Sequence, residues 1–168
     1  MNLPFHALIY ESSSIISFFK FHGKITLRKA LGNSYNVPAV KVLYQVGLDK
    51  MINYGRNMGI DSWVDTQRYG LSLTLGGGEV TMLDMARVNS VLANQGRLVE
   101  LNPVLKVTDV KGHVLEEKQN PQGKQVIDPG IAFIISDILA DNQTRTAAFG
   151  TNSGLEIPGH RVSVKTGT

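Results

Sequence analysis

Two stretches far apart in the chain, Ser34-Tyr35-Asn36 and Lys165-Thr166-Gly167-Thr168, hold side chains that could do chemistry together. The first offers a hydroxyl that can pass a proton and an amide that both donates and accepts hydrogen bonds. The second offers a fixed positive charge beside two hydroxyls, with a glycine that leaves room for another backbone to lie alongside. Each also has a plain structural reading. Ser34 or Asn36 could cap the helix that Pro38 opens, and the lysine stretch could be an edge strand running into a turn. A serine and a lysine one helical turn apart occur at Ser17-Phe18-Phe19-Lys20, the spacing of a nucleophile and its base. Packing aromatics Phe18, Phe19 and Phe21 beside a polar turn are the better reading there.

Other chemistries drop out early. The chain has no cysteine, which excludes disulfides and thiolate catalysis. His6, His22, His113 and His160 are scattered, without the spacing of metal ligands, so neither a metal nor another cofactor is expected. A formal charge of +3, spread along 168 residues, gives no basic run for nucleic acid. Gly76-Gly77-Gly78 lacks the Gly-Lys-Ser/Thr of a phosphate loop and reads as a backbone bend. Glu79 is read as structural near that loop, and Arg145 as an ion-pair or capping residue. No stretch is long and apolar enough for a membrane span or clean enough for a signal peptide.

Several helices must position these groups. Thr26 caps a short helix that Gly32-Asn33 stops, and Pro38 sits in the first turn of a helix over 37–46. Asp49 is expected to cap the next, which runs to about Met58. Residues 60–80 read as loop. Thr81-Met82-Leu83-Asp84 has capping-box spacing, with Leu83, Ala86, Val88, Val91 and Leu92 as the buried stripe. Residues 104–116 alternate around Lys111-Gly112 as a hairpin, and 117–128 form a polar connector. Pro129 opens a helix built on Ile131, Ile134, Ile135 and Ile138. A shorter helical turn follows over 144–149, and 161–168 reads as a strand still waiting for a partner.

The two motifs, in this order and with the text between them, resemble the transpeptidase domain of class A bifunctional penicillin-binding proteins. A Ser-x-x-K nucleophile with a Ser-x-Asn-type second motif and Lys-Thr-Gly is that family's signature. Residues 26–40 resemble the segment around the second motif. Leu75-Gly76-Gly77-Gly78 through Ala86, then Ala93-Asn94-Gln95-Gly96, resemble the glycine-rich loop and the helix after it. Arg145, Phe149-Gly150 and 164–168 resemble the approach to the third motif. The likeness covers residues 22–168, a partial transpeptidase domain, and fits residues 1–21 poorly. It implies an α+β fragment of the penicillin-binding and serine β-lactamase-like fold: mainly its helical part, a small hairpin and one strand of the central antiparallel sheet.

The resemblance also implies roles. Ser34 would relay a proton to the leaving amine, and Asn36 would hold the nucleophile's lysine and the substrate amide. Lys165 would anchor the substrate's terminal carboxylate with the Thr166 and Thr168 hydroxyls. Gly167 would admit substrate backbone, and the Thr168 N–H would supply half of an oxyanion hole. The family places several dozen residues between its nucleophile and the second motif, so Ser17 and Lys20 stand too close to be that pair. The chain alone is therefore expected to be inactive. The implied partners are peptidoglycan stem peptides and β-lactams. The parent would be membrane-anchored on the extracytoplasmic face of a bacterial membrane, a setting in which a glycosyltransferase domain can be fused to it. A non-catalytic truncated relic, an interaction fragment, or a relative that hydrolyses or senses β-lactams are the alternatives. The last needs a deacylating glutamate between the second and third motifs, and none is clear.

Overall fold

The computed structural model describes residues 9–10, 22–118 and 122–167. Thr26 Oγ1 accepts a hydrogen bond from Lys29 N at 3.2 Å and starts α1 (Leu27–Gly32). α2 (Asn36–Val46) carries Pro38 in its first turn and closes at Gly47, whose φ is 90°. The same glycine begins α3 (Leu48–Asn57), which corrects the expectation of an Asp49 cap. With no residue to spare between the helices, Asp49 falls inside the first turn, where its charge suits the helix dipole. Residues 60–80 form the expected loop, tightened by 3-10 turns at Thr66–Arg68 and Leu71–Leu75.

Thr81 Oγ1 accepts from Asp84 N at 3.1 Å and starts α4 (Met82–Ala93). Only half of the capping box forms. Asp84 is buried, and its Oδ2 accepts from Ser62 N at 3.2 Å, drawing the loop onto the helix. Inward-facing residues then follow the spacing of Asp84, Val88 and Val91, which leaves Leu83 and Ala86 exposed, contrary to expectation. α5 (Pro129–Ala140) starts at Asp128, whose Oδ1 accepts from Gly130 N at 2.8 Å and from Ile131 N at 3.3 Å. It packs against α1 and α4. Ala132 and Ile138 are its buried residues, while Ile131 and Ile134 are exposed. α6 (Thr146–Phe149) is the short turn expected near that place.

Strands pair only two by two among the described residues, always antiparallel. β1 (Ile9–Tyr10) pairs with β2 (Lys24–Ile25), and β3 (Arg97–Leu98) with β6 (Lys124–Gln125). Neither pair was legible, because two residues are too few to show alternation; β6 lies in the expected connector. The expected hairpin forms from β4 (Lys106–Thr108) and β5 (Val114–Glu117), with Lys106 opposite Glu117. Asp109 Oδ1 holds its turn, accepting from Lys111 N at 2.8 Å and His113 N at 2.9 Å.

Residues 161–167 do not join a ladder, which corrects the expected strand. Their burial still alternates: Val162, Val164 and Thr166 are half-buried, and the residues between them are exposed. With no strand beside it among the described residues, the segment docks on α5. Val164 N donates to Leu139 O at 3.0 Å and Ser163 Oγ to Ser136 O at 2.7 Å.

The core joins Leu43 of α2, Ile52 of α3, and Ile60, Trp63 and Leu73 of the loop. Trp63 lies against Gly55 on one side and near Gly78 on the other, so its indole fills space that only glycines leave open. The triple glycine also bends the chain as expected. Gly76 is left-handed at φ 91°, and a Cβ on Gly77 would come within 2.7 Å of Ser72 Oγ.

Candidate active site

Ser34 is built by the end of α1. Asn33 is the C-cap, and the next two N–H groups turn back: Ser34 N donates to Leu31 O at 3.1 Å and Tyr35 N to Ala30 O at 3.0 Å. This is the Schellman closure, whose left-handed position glycine usually fills. Here Ser34 fills it, at φ 57°. Such a conformation costs a non-glycine residue on the order of 1–3 kcal/mol and is concentrated at functional sites.

Asn33 fixes the turn from beneath. It is buried, and its Nδ2 donates to Lys29 O at 2.9 Å and to Thr144 O at 2.7 Å. Its Oδ1 accepts from Ala148 N at 2.9 Å, so two of the three bonds join α1 to the 144–149 turn and the third closes on α1 itself. Gly32 allows that approach, since a Cβ there would come within 2.5 Å of Thr144 Cγ2. On the other flank the His22 and Tyr35 rings stack at 4.7 Å.

Lys165 comes in from the segment docked on α5. Its Nζ donates to Ser34 Oγ at 2.7 Å, across 131 positions of sequence, and to the Thr166 carbonyl at 2.7 Å. Both acceptors are neutral. The residue as a whole is exposed, yet the ammonium is partly withdrawn from water, and this desolvation pulls its pKa below the usual lysine value. The arrangement is a serine hydroxyl held against a cation with no countercharge bonded to it among the described residues, a setting that attracts an anion.

The remaining expected site residues fall out as follows. Asn36 is exposed at the first position of α2, beside the Ser34 turn. Thr166 is half-buried and lends its carbonyl to Lys165. Gly167 is exposed, with nothing within 4 Å of where a Cβ would stand. Thr168, Ser17 and Lys20 lie outside the described residues. Glu79 is exposed, with Arg68 at 3.6 Å. Arg145 is buried and donates to the Leu139 carbonyl, capping the C-terminal end of α5. That same carbonyl receives Val164 N, so Arg145 and the lysine segment share an anchor. No group of three metal-ligating side chains is gathered, and no helix is long and apolar enough to cross a membrane, among the described residues.

Sequence reasoning missed the residues that hold the two halves together: Asn33, Arg28, Asp137, Asp141 and Arg161. One signal was present, since Asp137 and Asp141 are one helical turn apart at the end of α5. Nothing local pointed to their partners.

The helical scaffold thus brings Ser34 and Lys165 into contact, and comparison with known proteins shows the family to which that scaffold belongs. The family model described as the penicillin binding protein transpeptidase domain matches residues 6–168. The chain belongs to this family. It is 36% identical over 115 residues to penicillin-binding protein 2D of Bacillus subtilis, covering 68% of this chain and 16% of that protein. With penicillin-binding protein 1A of Neisseria meningitidis it shares 32% over 154 residues, covering 89% of this chain and 18% of that protein. The chain thus spans under a fifth of these class A relatives. Among solved structures, penicillin-binding protein 1A of Haemophilus influenzae superposes with a TM-score of 0.68 at 22% identity, covering 84% of this chain and 27% of that one. Penicillin-binding protein A of M. tuberculosis does so at 0.72 and 20% identity, covering 88% and 36%. These structures establish the fold.

Proposed function

We propose that this chain is the Ser34-to-Lys165 part of a peptidoglycan D,D-transpeptidase. A serine elsewhere in the full domain would attack the carbonyl before the terminal D-alanine, forming an ester and expelling that D-alanine as an amine. A second stem's amine would then attack the ester, forming the crosslink and freeing the serine. The M. tuberculosis relative was solved as an imipenem acyl-enzyme complex, which supports an acyl-enzyme route by analogy.

The observation that carries the proposal is the 2.7 Å contact between Lys165 Nζ and Ser34 Oγ. The cation would draw the substrate's terminal carboxylate, with Thr166 and Thr168 hydroxyls beside it. Ser34 would then hand a proton to the departing amine. Asn36 would orient the substrate amide and the nucleophile's lysine, Gly167 would leave room for substrate backbone, and the Thr168 N–H would face the oxyanion. Stem peptides and β-lactams are the partners this site suits. The parent protein is proposed to be membrane-anchored and to act on the extracytoplasmic side. These 168 residues alone are proposed to be inactive, since Ser34, Asn36 and Lys165 support a nucleophile that their motifs do not include.

The test is a stem-pentapeptide assay on the full-length protein. D-alanine release with formation of a crosslinked product is expected. A full-length protein that releases no D-alanine and takes no label from fluorescent penicillin would favour the relic reading.

A further inference from the structure

Asp137 sits where the two halves of the site meet. Its Oδ2 accepts from Arg28 Nη2 at 2.8 Å, and its Oδ1 accepts from Arg161 Nη2 at 2.6 Å. Arg28 belongs to α1, the helix whose cap presents Ser34. Arg161 opens the segment that carries Lys165. Each oxygen of one carboxylate therefore holds one side of the site.

The Arg28 arm is itself braced. Arg28 Nη1 reaches Asp141 Oδ2 at 3.1 Å, one turn further along α5. Asp141 accepts from Thr144 N at 3.0 Å and from Thr144 Oγ1 at 2.5 Å, and Thr144 O accepts from Asn33 at 2.7 Å. These contacts close a ring that fixes both ends of α1 against the end of α5. On the Lys165 side, Ser136 O and Leu139 O fix backbone to α5 but do not touch α1.

We propose that Asp137 is a positioning residue that sets the separation of Ser34 and Lys165 by gripping Arg28 and Arg161 at once. The inference rests on the reading of Ser34 and Lys165 as the site. Exposed ion pairs add little to stability, and the side chain of Arg161 is 71% exposed. The main effect of the bridge therefore falls on geometry rather than on melting. The Arg28 hydrogen bond, with that from Arg161, holds the Asp137 carboxyl below the usual range, so the bridge stays ionised at neutral pH.

The experiment follows acylation of Lys165 by a small amine-reactive ester across a range of pH, in the full 168-residue chain. Peptide mass mapping reads the modification, normalised to the exposed Lys50. The wild-type profile should have its midpoint below that of an ordinary lysine. In Asp137→Asn a neutral amide cannot grip two guanidinium groups, and Lys165 should swing away from Ser34 into water. Its midpoint then rises, and each half-unit lowers the free-amine fraction at a fixed lower pH about threefold. Arg161→Gln releases only the Lys165 arm at an exposed position and should shift the midpoint the same way. It decides the matter should Asp137→Asn fail to fold. An unchanged Lys165 midpoint in folded Asp137→Asn or, in its place, folded Arg161→Gln would overturn the proposal, whatever happens to the melting temperature. The assay uses neither β-lactam nor stem peptide. A full-length protein that ignores both while Asp137→Asn still shifts Lys165 would remove the functional reading and leave the positioning relationship standing.

Discussion

Lys165 Nζ donates to Ser34 Oγ at 2.7 Å, although 131 positions of sequence separate the two residues. The serine stands in a left-handed helix cap, and the lysine in a segment that docks on α5. Backbone closure on one side and α5 on the other thus deliver a hydroxyl and a cation to one point.

The strain at Ser34 can be separated from its chemistry. Ser34→Gly should relieve the left-handed backbone and raise stability by about 1 kcal/mol. Ser34→Ala keeps the strain and should show no such gain. Both remove the hydroxyl that Lys165 contacts and leave its bond to the Thr166 carbonyl. Urea midpoints of the two variants measure the difference, and a glycine variant less stable than the alanine variant would contradict the cap assignment.

Asn33 is the turn's buried fastener. Asn33→Ala removes three hydrogen bonds and leaves Thr144 O and Ala148 N short of their side-chain partner. A loss of about 2–4 kcal/mol is expected from denaturant unfolding, given the usual penalty for each buried group left unpaired.

Trp63 tests the core below the loop. In Gly55→Ala the added methyl would run into the Trp63 ring, 2.9 Å from Cε3, and lie 3.2 Å from Ile60 Cδ1. Alanine's better helix propensity returns about 1 kcal/mol, and overpacking costs about 1–3 kcal/mol. Net destabilisation with a shift in tryptophan fluorescence is expected.

Acid should weaken the assembly in a defined direction. Hydrogen bonds hold four carboxyls below their usual range: Asp84 chiefly by Ser62, Asp109 by His113, Asp137 by Arg28, and Asp141 by Thr144. A depressed folded-state pKa gives stability that is complete above the unfolded value, about 3.9, and lost as pH falls through the folded values. Urea midpoints should therefore drop between about pH 5 and about pH 2. Asp137→Asn should flatten part of that slope.

Local signals were legible and long-range ones were not. The caps at Thr26 and Thr81 and the proline at position 129 were readable because each rule spans a few adjacent residues. Helical period showed which residues share a face, but not which face a neighbour covers. That is why Leu83, Ala86, Ile131 and Ile134 were expected inside, while Asp84 took the inner position. Residues 161–167 kept the alternation of a strand without a partner strand beside them among the described residues. Ser34 and Lys165 were associated through their resemblance to a family signature. Asn33, Arg28, Asp137 and Arg161 belong to no short motif, so only the packed chain displays them.

The measurement that bears most directly on the site is the rate at which fluorescent penicillin acylates the full-length protein. Lys165→Met removes the cation proposed to draw the β-lactam carboxylate, and Ser34→Ala removes the hydroxyl proposed to relay the proton. Each should slow acylation roughly 10²-fold or more, the scale of losing one electrostatic contact at a transition state. The 168-residue chain alone should take no label. Acylation at the wild-type rate in both variants, or labelling of the short chain at Ser17, would contradict this account of the site.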